Sequence, residues 1–326
     1  MEMIFQEKET EKTDHSSSAK VGRLGDLFLQ KGLLTESQVE LIAAEQRQKK
    51  LRFGDAALNL GFLSQIQIDS ALGEQFGFGS KDLINGKADS GLRFFHYPFS
   101  KEAEEIRRLR SELLLKFSSQ DKIKIALVSA SPQEGKSYMA ASLAIALSQV
   151  GRRTLLIDAD LRSGNLHNLF SLGNPDGLSS VLAGRIAAQN ALIPLMDNLH
   201  ILPSGPRPPN PLEILRAPRI RELLASCDNQ FDAFVLDTYT SSLASDAQMV
   251  AHQVGSVLLM AMKDVTLLSD LREAKSDMQA AGAEVIGTIF NENSSGDGTG
   301  RLSRKWLSWV KKRLPYGSKR TASSRG

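Results

Sequence analysis

The stretch from Ile123 to Val150 constrains this chain more than any other. An apolar run, Ile123 to Val128, leads directly into Ser129-Ala130-Ser131-Pro132-Gln133-Glu134-Gly135-Lys136-Ser137, and a helical stretch, Tyr138 to Val150, follows. A strand, a tight loop and a helix in that order build a cradle for the phosphates of a nucleoside triphosphate with Mg²⁺. Gly135 lets the backbone close on the phosphates and Lys136 reaches the outer ones. The Ser137 hydroxyl takes a Mg²⁺ position, and the helix start offers free N–H groups. Ala130 stands where the first loop glycine is usual, so the loop alone is a weak signal.

Two further apolar strands end in carboxylates. Leu155-Leu156-Ile157-Asp158-Ala159-Asp160-Leu161-Arg162 carries two acids and an arginine, and Phe234-Val235-Leu236-Asp237 carries one acid. In an α/β sheet, ligands gather at the carboxyl ends of the strands, so all three acids are expected to face the loop. Asp158 and Asp160 there can hold Mg²⁺ and orient or deprotonate a hydroxyl nucleophile, with Asp237 supporting the metal. Three solvated acidic turns are the plain alternative. The fold class expected is α/β: a P-loop NTPase-like, mostly parallel sheet flanked by helices, preceded by a small helical repeat domain.

These segments resemble the Walker A, A′ and B motifs of the bacterial tyrosine kinases, cytoplasmic autokinases of polysaccharide chain-length control. The likeness runs on through Gly177 to Gly184, Pro208 to Glu213, and Gly287-Thr288-Ile289-Phe290-Asn291, covering about residues 100 to 293. The MinD/ParA ATPases are similar in fold but carry a second loop lysine where this chain has Ser131. The resemblance implies ATP and Mg²⁺ as cofactors, with residues 130–137 (Ala130, Ser131, Pro132, Gln133, Glu134, Gly135, Lys136 and Ser137) and Arg162 at the nucleotide and Asn291 near the adenine. It implies Lys136, Asp158, Asp160 and Asp237 as the catalytic set, and Ser137, Asp160 and Asp237 as metal neighbours. Glu104, Arg107 and Arg110 match a Glu-x-x-Arg-x-x-Arg helix that makes subunit contacts in ring-shaped homo-oligomers. A salt-bridged solvated helix face is the competing account of those three. The family also implies a membrane chain-length determinant (Wzz-like) partner.

Two departures matter. Thr238 is followed by Tyr239 and Thr240, where the family has two prolines. The family also phosphorylates a tyrosine cluster in its own tail, whereas this chain has only Tyr97, Tyr138, Tyr239 and Tyr316, the last alone in the tail. A tyrosine autokinase regulating exopolysaccharide synthesis or export is the first reading. A nucleotide-dependent assembly regulator without kinase activity, or a MinD/ParA-like ATPase, is the alternative.

Upstream lies an internal repeat. Arg23-Leu24-Gly25 opens a segment running through Gly32 to Gln46, and Arg52-Phe53-Gly54 opens a second running through Gly61 to Gln75 at matching offsets. Helical spacing of Val39, Ile42 and Ala43, and of Ile68, Ala71 and Leu72, makes each unit a helix, a glycine turn and a second helix. Thr35 with Gln38 and Ser64 with Gln67 read as capping boxes. The repeat resembles the N-terminal domain of type II secretion and pilus ATPases of the MshE kind, which binds cyclic di-GMP. That likeness implies Arg23 and Arg52 at phosphate or guanine, with the backbone at Gly25, Gly32, Gly54 and Gly61 close to the ligand. Phe53 and Ala57 stand where leucines are usual, which weakens the apolar cradle. A protein-docking module with structural turns is the competing account.

The expected organisation is a disordered start (1–20), a repeat domain (21–79), a linker (80–100), a P-loop domain (101–293) and a basic tail (294–326). From Arg301 to Gly326 there are nine Lys or Arg and no Asp or Glu, while the whole chain carries only +3. Trp306 and Trp309 among those charges suit contact between 301–326 and an anionic membrane surface. Nothing beyond charge asks for nucleic acid, and none is expected. The lone Cys227 excludes a disulfide framework, the five histidines show no metal spacing, and no stretch is apolar enough to span a bilayer. The location these features suggest is cytoplasmic, peripheral at the inner face of the plasma membrane.

Overall fold

The structure, a computed structural model, describes residues 24–75, 92–216 and 218–292. The chain parts into two compact units between Gln65 and Ile66. Arg23, the start through residue 20, most of the expected linker and the tail with Tyr316, Trp306 and Trp309 lie outside the described residues.

In the first unit, α1 (Leu24–Gln30), α2 (Glu36–Lys49) and α3 (Phe53–Asn59) follow one another, and α4 (Gln65–Gln75) begins at the unit's last residue. Both repeats end their first helix in the same way. Gly32 N donates to Leu29 O and Leu33 N to Phe28 O; Gly61 N donates to Leu58 O and Phe62 N to Ala57 O. This pairing is the Schellman motif, which needs a left-handed residue after the helix. Gly32 at φ +64° and Gly61 at φ +68° supply it. Thr35 and Gln38 form the reciprocal capping box of α2. Phe53 stacks on Phe28 with ring centroids 6.3 Å apart, so the aromatic that departs from the expected leucine is a packing partner within the repeat.

Beyond α4, whose residues from Ile66 on belong to the second unit, that unit continues with α5 (Arg93–His96) and α6 (Lys101–Lys116). It continues β1 (Ile123–Ser129), α7 (Lys136–Ser148), β2 (Thr154–Asp158), α8 (Leu166–Leu169), α9 (Leu178–Leu182), α10 (Ala188–Ala191), β3 (Ile193–Met196) and β4 (Leu199–Leu202). Then come α11 (Pro211–Ile214), α12 (Arg219–Cys227), β5 (Ala233–Asp237), α13 (Asp246–Val254), β6 (Ser256–Met262), α14 (Leu268–Ala280) and β7 (Glu284–Asn291). The seven strands form one sheet in the order β3-β4-β2-β5-β1-β6-β7. All neighbours are parallel except the β3–β4 pair at one edge.

Strands β1, β2, β5 and β6 are buried almost throughout, as their unbroken apolar runs require when helices cover both faces of a parallel sheet. One core layer packs α6 and α7 on the sheet, with Leu109, Leu113, Leu143 and Leu147 among its members. The opposite layer uses α12 and α13, with Leu224, Cys227, Val250 and Val254. Cys227 is buried there, a packing residue.

Residues 92–100, expected as linker, are instead part of this unit. Leu92, Phe94 and Phe95 are buried in the first core layer, and the Ser100 hydroxyl caps α6 by accepting from Ala103 N at 3.1 Å. The segment is too short for apolar periodicity to reveal a helix, and its Asn, Gly and Ser neighbours dominate the local reading.

Candidate nucleotide site

The strand order places the ends of β1, β2 and β5 side by side. Asp158 of β2 is the register partner of Asp237 of β5, and Asp237 also pairs with Leu127 of β1, two residues short of the loop. The junction is fastened by backbone and hydroxyl bonds. Ala159 N donates to Asp237 O at 2.8 Å, and Ser241 N to Ser129 O at 3.0 Å. The Thr238 hydroxyl donates to Leu127 O at 2.7 Å.

The loop from Ala130 to Gly135 turns through left-handed Gln133 (φ 61°) and Gly135 (φ 88°), the latter being the N-cap of α7. Gly135 has no steric alternative. A Cβ there would stand 2.7 Å from Asn291 Nδ2, and the positive φ disfavours any L side chain. Lys136 opens α7 and is 8% exposed. Its ammonium lies 3.0 Å from Asp237 Oδ1, and Asp237 is fully buried.

The three acids differ in their surroundings. Asp158 is fully buried and accepts from Asp160 N and Leu166 N, each at 3.2 Å. Burial first, then the Asp237 charge, holds its carboxyl well above the usual carboxylate range. Asp160 spends both oxygens on its own turn. Oδ1 accepts from Arg162 N at 3.0 Å and Ser163 N at 2.8 Å, and Oδ2 from the Ser163 hydroxyl at 2.9 Å. Asp237 Oδ2 is buried with no hydrogen-bond partner.

A divalent cation fits this arrangement. The orphaned Asp237 oxygen, beside the Asp158 carboxyl at the strand ends, is a ready ligand or water acceptor. Among the described residues, no group of three or more His, Cys, Asp or Glu could hold a metal by itself. Mg²⁺ at such a site takes most of its shell from phosphates and water, with one or two carboxylates.

Arg162 faces the loop after β5 rather than standing free. Its guanidinium forms a two-pronged pair with Asp246, 2.8 Å and 3.0 Å long, and lies over the Tyr239 ring, 5.4 Å from the centroid. Asn291, at the end of β7, donates from Nδ2 to Glu134 O at 3.1 Å. It therefore touches the loop itself. Glu134 is 1% exposed and its Oε1 accepts from the Thr266 hydroxyl. Burial pushes its carboxyl upward, opposed chiefly by that bond.

On α6, the Glu104 side chain is 77% exposed and pairs with Arg107 at 3.4 Å. Arg107 also donates to Pro98 O, and Arg110 donates to Ala146 O of α7 at 3.2 Å. The two arginines thus fasten α6 to its own unit, and burial lowers the proton affinity of Arg110. In the first unit, Arg52 is exposed at the N-cap of α3 without a side-chain cap bond. Gly25 is buried, its Cα facing Val39 and Phe53 at ordinary contact distance for an added Cβ, and Gly54 is partly covered.

Sequence reading missed Asp246 and Thr266. Asp246 reads as a first-turn acid of a helix, and its partner is 84 residues away. Thr266 sits in a turn with no motif around it. Only the closure of the sheet brings either to the site.

Comparison with known proteins agrees with this geometry. The CbiA family, described as the CobQ/CobB/MinD/ParA nucleotide binding domain, matches residues 125–315, more than half of the chain. The tyrosine-protein kinase wzc of Salmonella typhimurium is 34% identical over 195 residues, which are 60% of this chain and 27% of that protein. The chain thus spans about a quarter of the length of the first curated relatives it matches. The kinase domain of the Escherichia coli tyrosine kinase ETK is 28% identical with a TM-score of 0.59, covering 68% of this chain and 88% of that one. The VpsO kinase domain is 30% identical with a TM-score of 0.51, covering 60% of this chain and 100% of that one. The chain belongs to the CobQ/CobB/MinD/ParA nucleotide-binding family, and its P-loop domain is homologous to the bacterial tyrosine kinases.

Proposed function

We propose that this protein binds Mg-ATP in the loop from Ala130 to Ser137 and transfers the γ-phosphoryl group to a tyrosine hydroxyl, as a regulator of exopolysaccharide synthesis or export. The observation that carries the reading is the meeting of Lys136, Asp158 and Asp237 at three adjacent strand ends, with Lys136 3.0 Å from Asp237. Lys136 exchanges Asp237 for the outer phosphates, and the first N–H groups of α7 hold their inner neighbours. Asp158 takes the hydroxyl proton from its place beside Asp237 at the strand ends. Ser137 and Asp237 would hold Mg²⁺, which neutralises phosphate charge when bound. Asp160 keeps the Asp158–Ser163 turn in shape. The test is to incubate the protein with Mg-ATP beside a Lys136→Met control and to map phosphotyrosine by mass spectrometry. Label that depends on Lys136 is expected; nucleotide binding without label on any tyrosine would reject the kinase reading.

A second reading is a nucleotide-dependent assembly regulator without kinase activity. What favours it is the state of Tyr138, whose hydroxyl donates to Glu102 and accepts from Phe94 N at 3.0 Å, and so is engaged rather than free to receive a phosphoryl group. On either reading the chain acts as a homo-oligomer with Glu104 at the contact, beside a membrane chain-length determinant. It sits peripherally at the cytoplasmic face, with the basic tail on anionic lipid. The first unit binds cyclic di-GMP in this scheme. Support comes from the repeated Arg-x-Gly and the exposed Arg52, although turn geometry and packing account for Gly32, Gly61 and Gly25 without a ligand. Arg52→Ala should abolish cyclic di-GMP binding and leave ATP binding intact; unchanged affinity removes this part of the scheme.

A further inference from the structure

Glu134 is gripped by two strand ends. From the turn after β6, the Thr266 hydroxyl donates to Glu134 Oε1. The same hydroxyl accepts from Met262 N at 2.7 Å, and Thr266 N donates to Met262 O at 2.9 Å, so the last residue of β6 sets its direction. From the end of β7, Asn291 Nδ2 holds the Glu134 carbonyl at 3.1 Å. Lys263 N donates to Asn291 O at 2.8 Å, which ties the two strand ends together. The other carboxyl oxygen, Glu134 Oε2, is buried with no partner.

We propose that Thr266 is a positioning residue of the nucleotide loop, acting through Glu134 to hold the Gly135 and Lys136 amides where phosphate must meet them. Glu134 precedes Gly135, whose left-handed backbone turns the chain into α7. The buried carboxyl is held by the Thr266 hydroxyl from outside the loop and by the backbone amides of Ser131 and Ala130 within it, while Oε2 is left unpartnered. Without the Thr266 hydroxyl only the loop's own amides remain, nothing ties Glu134 to the end of β6, and water becomes the better environment for it. Drawing Glu134 outward rotates the backbone at Gly135 and carries the loop N–H groups off the phosphates. Thr266 needs no contact with nucleotide for this effect.

The inference rests on the loop being a nucleotide site, and the test separates the two claims. Binding of the non-hydrolysable analogue AMP-PNP with Mg²⁺ is measured calorimetrically on the full chain and on T266V, T266S, E134A and E134A/T266V. Valine keeps the shape of threonine and removes the hydroxyl; serine keeps the hydroxyl. T266V should bind about tenfold more weakly, the loss expected for one hydrogen bond to a carboxyl group. T266S should retain near-parental affinity, and E134A/T266V should bind no worse than E134A because the pathway is already cut. Parental affinity in T266V, or a double variant whose loss is the product of the single losses, overturns the proposal. If T266V does not fold, T266A takes its place, with the same loss expected and parental affinity overturning the proposal. Failure of the parent to bind AMP-PNP removes the site reading and this proposal together.

Discussion

Lys136 Nζ and Asp237 Oδ1 lie 3.0 Å apart across 101 residues of sequence, inside a site where both side chains are shut off from water. Lys136 is thus parked on the acid that ends β5. In the proposed site, nucleotide binding breaks this buried ion pair, and the phosphates replace its negative partner. Removing the lysine should therefore affect the protein even without ligand. Lys136→Met leaves Asp237 buried beside Asp158, and a broken buried pair typically costs about 3–5 kcal/mol. Urea unfolding of the ligand-free variant should reveal a loss of that order, partly recovered in Lys136→Met/Asp237→Asn.

Gly135→Ala tests the loop's shape. The new methyl would meet Asn291 Nδ2 at 2.7 Å and sit on a backbone with φ of +88°. A cost of about 1–3 kcal/mol follows, with ATP affinity falling at least about tenfold. Adding Asn291→Ala should relieve the clash but leave the φ strain, so thermal stability should recover only in part.

Arg162 and Asp246 join the turn after β2 to the start of α13. The Asp246 side chain is 1% exposed and that of Arg162 30%, so Asp246→Asn leaves a mostly covered guanidinium without its anion. A loss of about 2–3 kcal/mol is expected. Arg162→Lys should not restore full stability, because an ammonium cannot reproduce the two-pronged bond. Denaturant midpoints of the three proteins check this.

Much of this was legible in the sequence. Three apolar runs ending in Lys136's loop, Asp158 and Asp237 announce a parallel sheet with a phosphate loop, because fully buried strands must be apolar throughout. The repeat was equally legible, since Gly32 and Gly61 mark the same Schellman turn twice. The partners of Glu134 and Arg162 were not, because Thr266 and Asp246 reach them through strand order rather than spacing. The turn that Asp160 caps was also not legible, because a strand-end acid can serve a metal or cap its own turn, and only the structure shows the bonds from Arg162 N and Ser163 N. The inward turn of Arg107 and Arg110 was likewise invisible, since an i,i+3 charge pattern does not say which side of the helix is covered.

At the amino ends of β2 and β5, Asp232 accepts from the Arg153 guanidinium at 2.7 Å and 3.0 Å. The Arg153 bonds hold its pKa down at about 2, below the usual 3.8. A depressed carboxyl contributes stability that is fully present above pH 3.8 and is lost as pH falls toward 2. Because the Arg153 side chain is 49% exposed, solvent screening keeps the contribution small. Asp232→Asn should be slightly less stable than the parent at pH 7, with the deficit shrinking as pH falls through about 2, as followed by unfolding at each pH.

In the proposed function, residues 130–137 form a Mg-ATP site operated by Lys136. Calorimetric titration of Mg-ATP into the parent and into Lys136→Met tests it most directly. Saturable binding of one nucleotide per chain, weakened by omitting Mg²⁺ and lost in the variant, is the predicted result. Binding that survives Lys136→Met unchanged, or no binding to the parent, would contradict it.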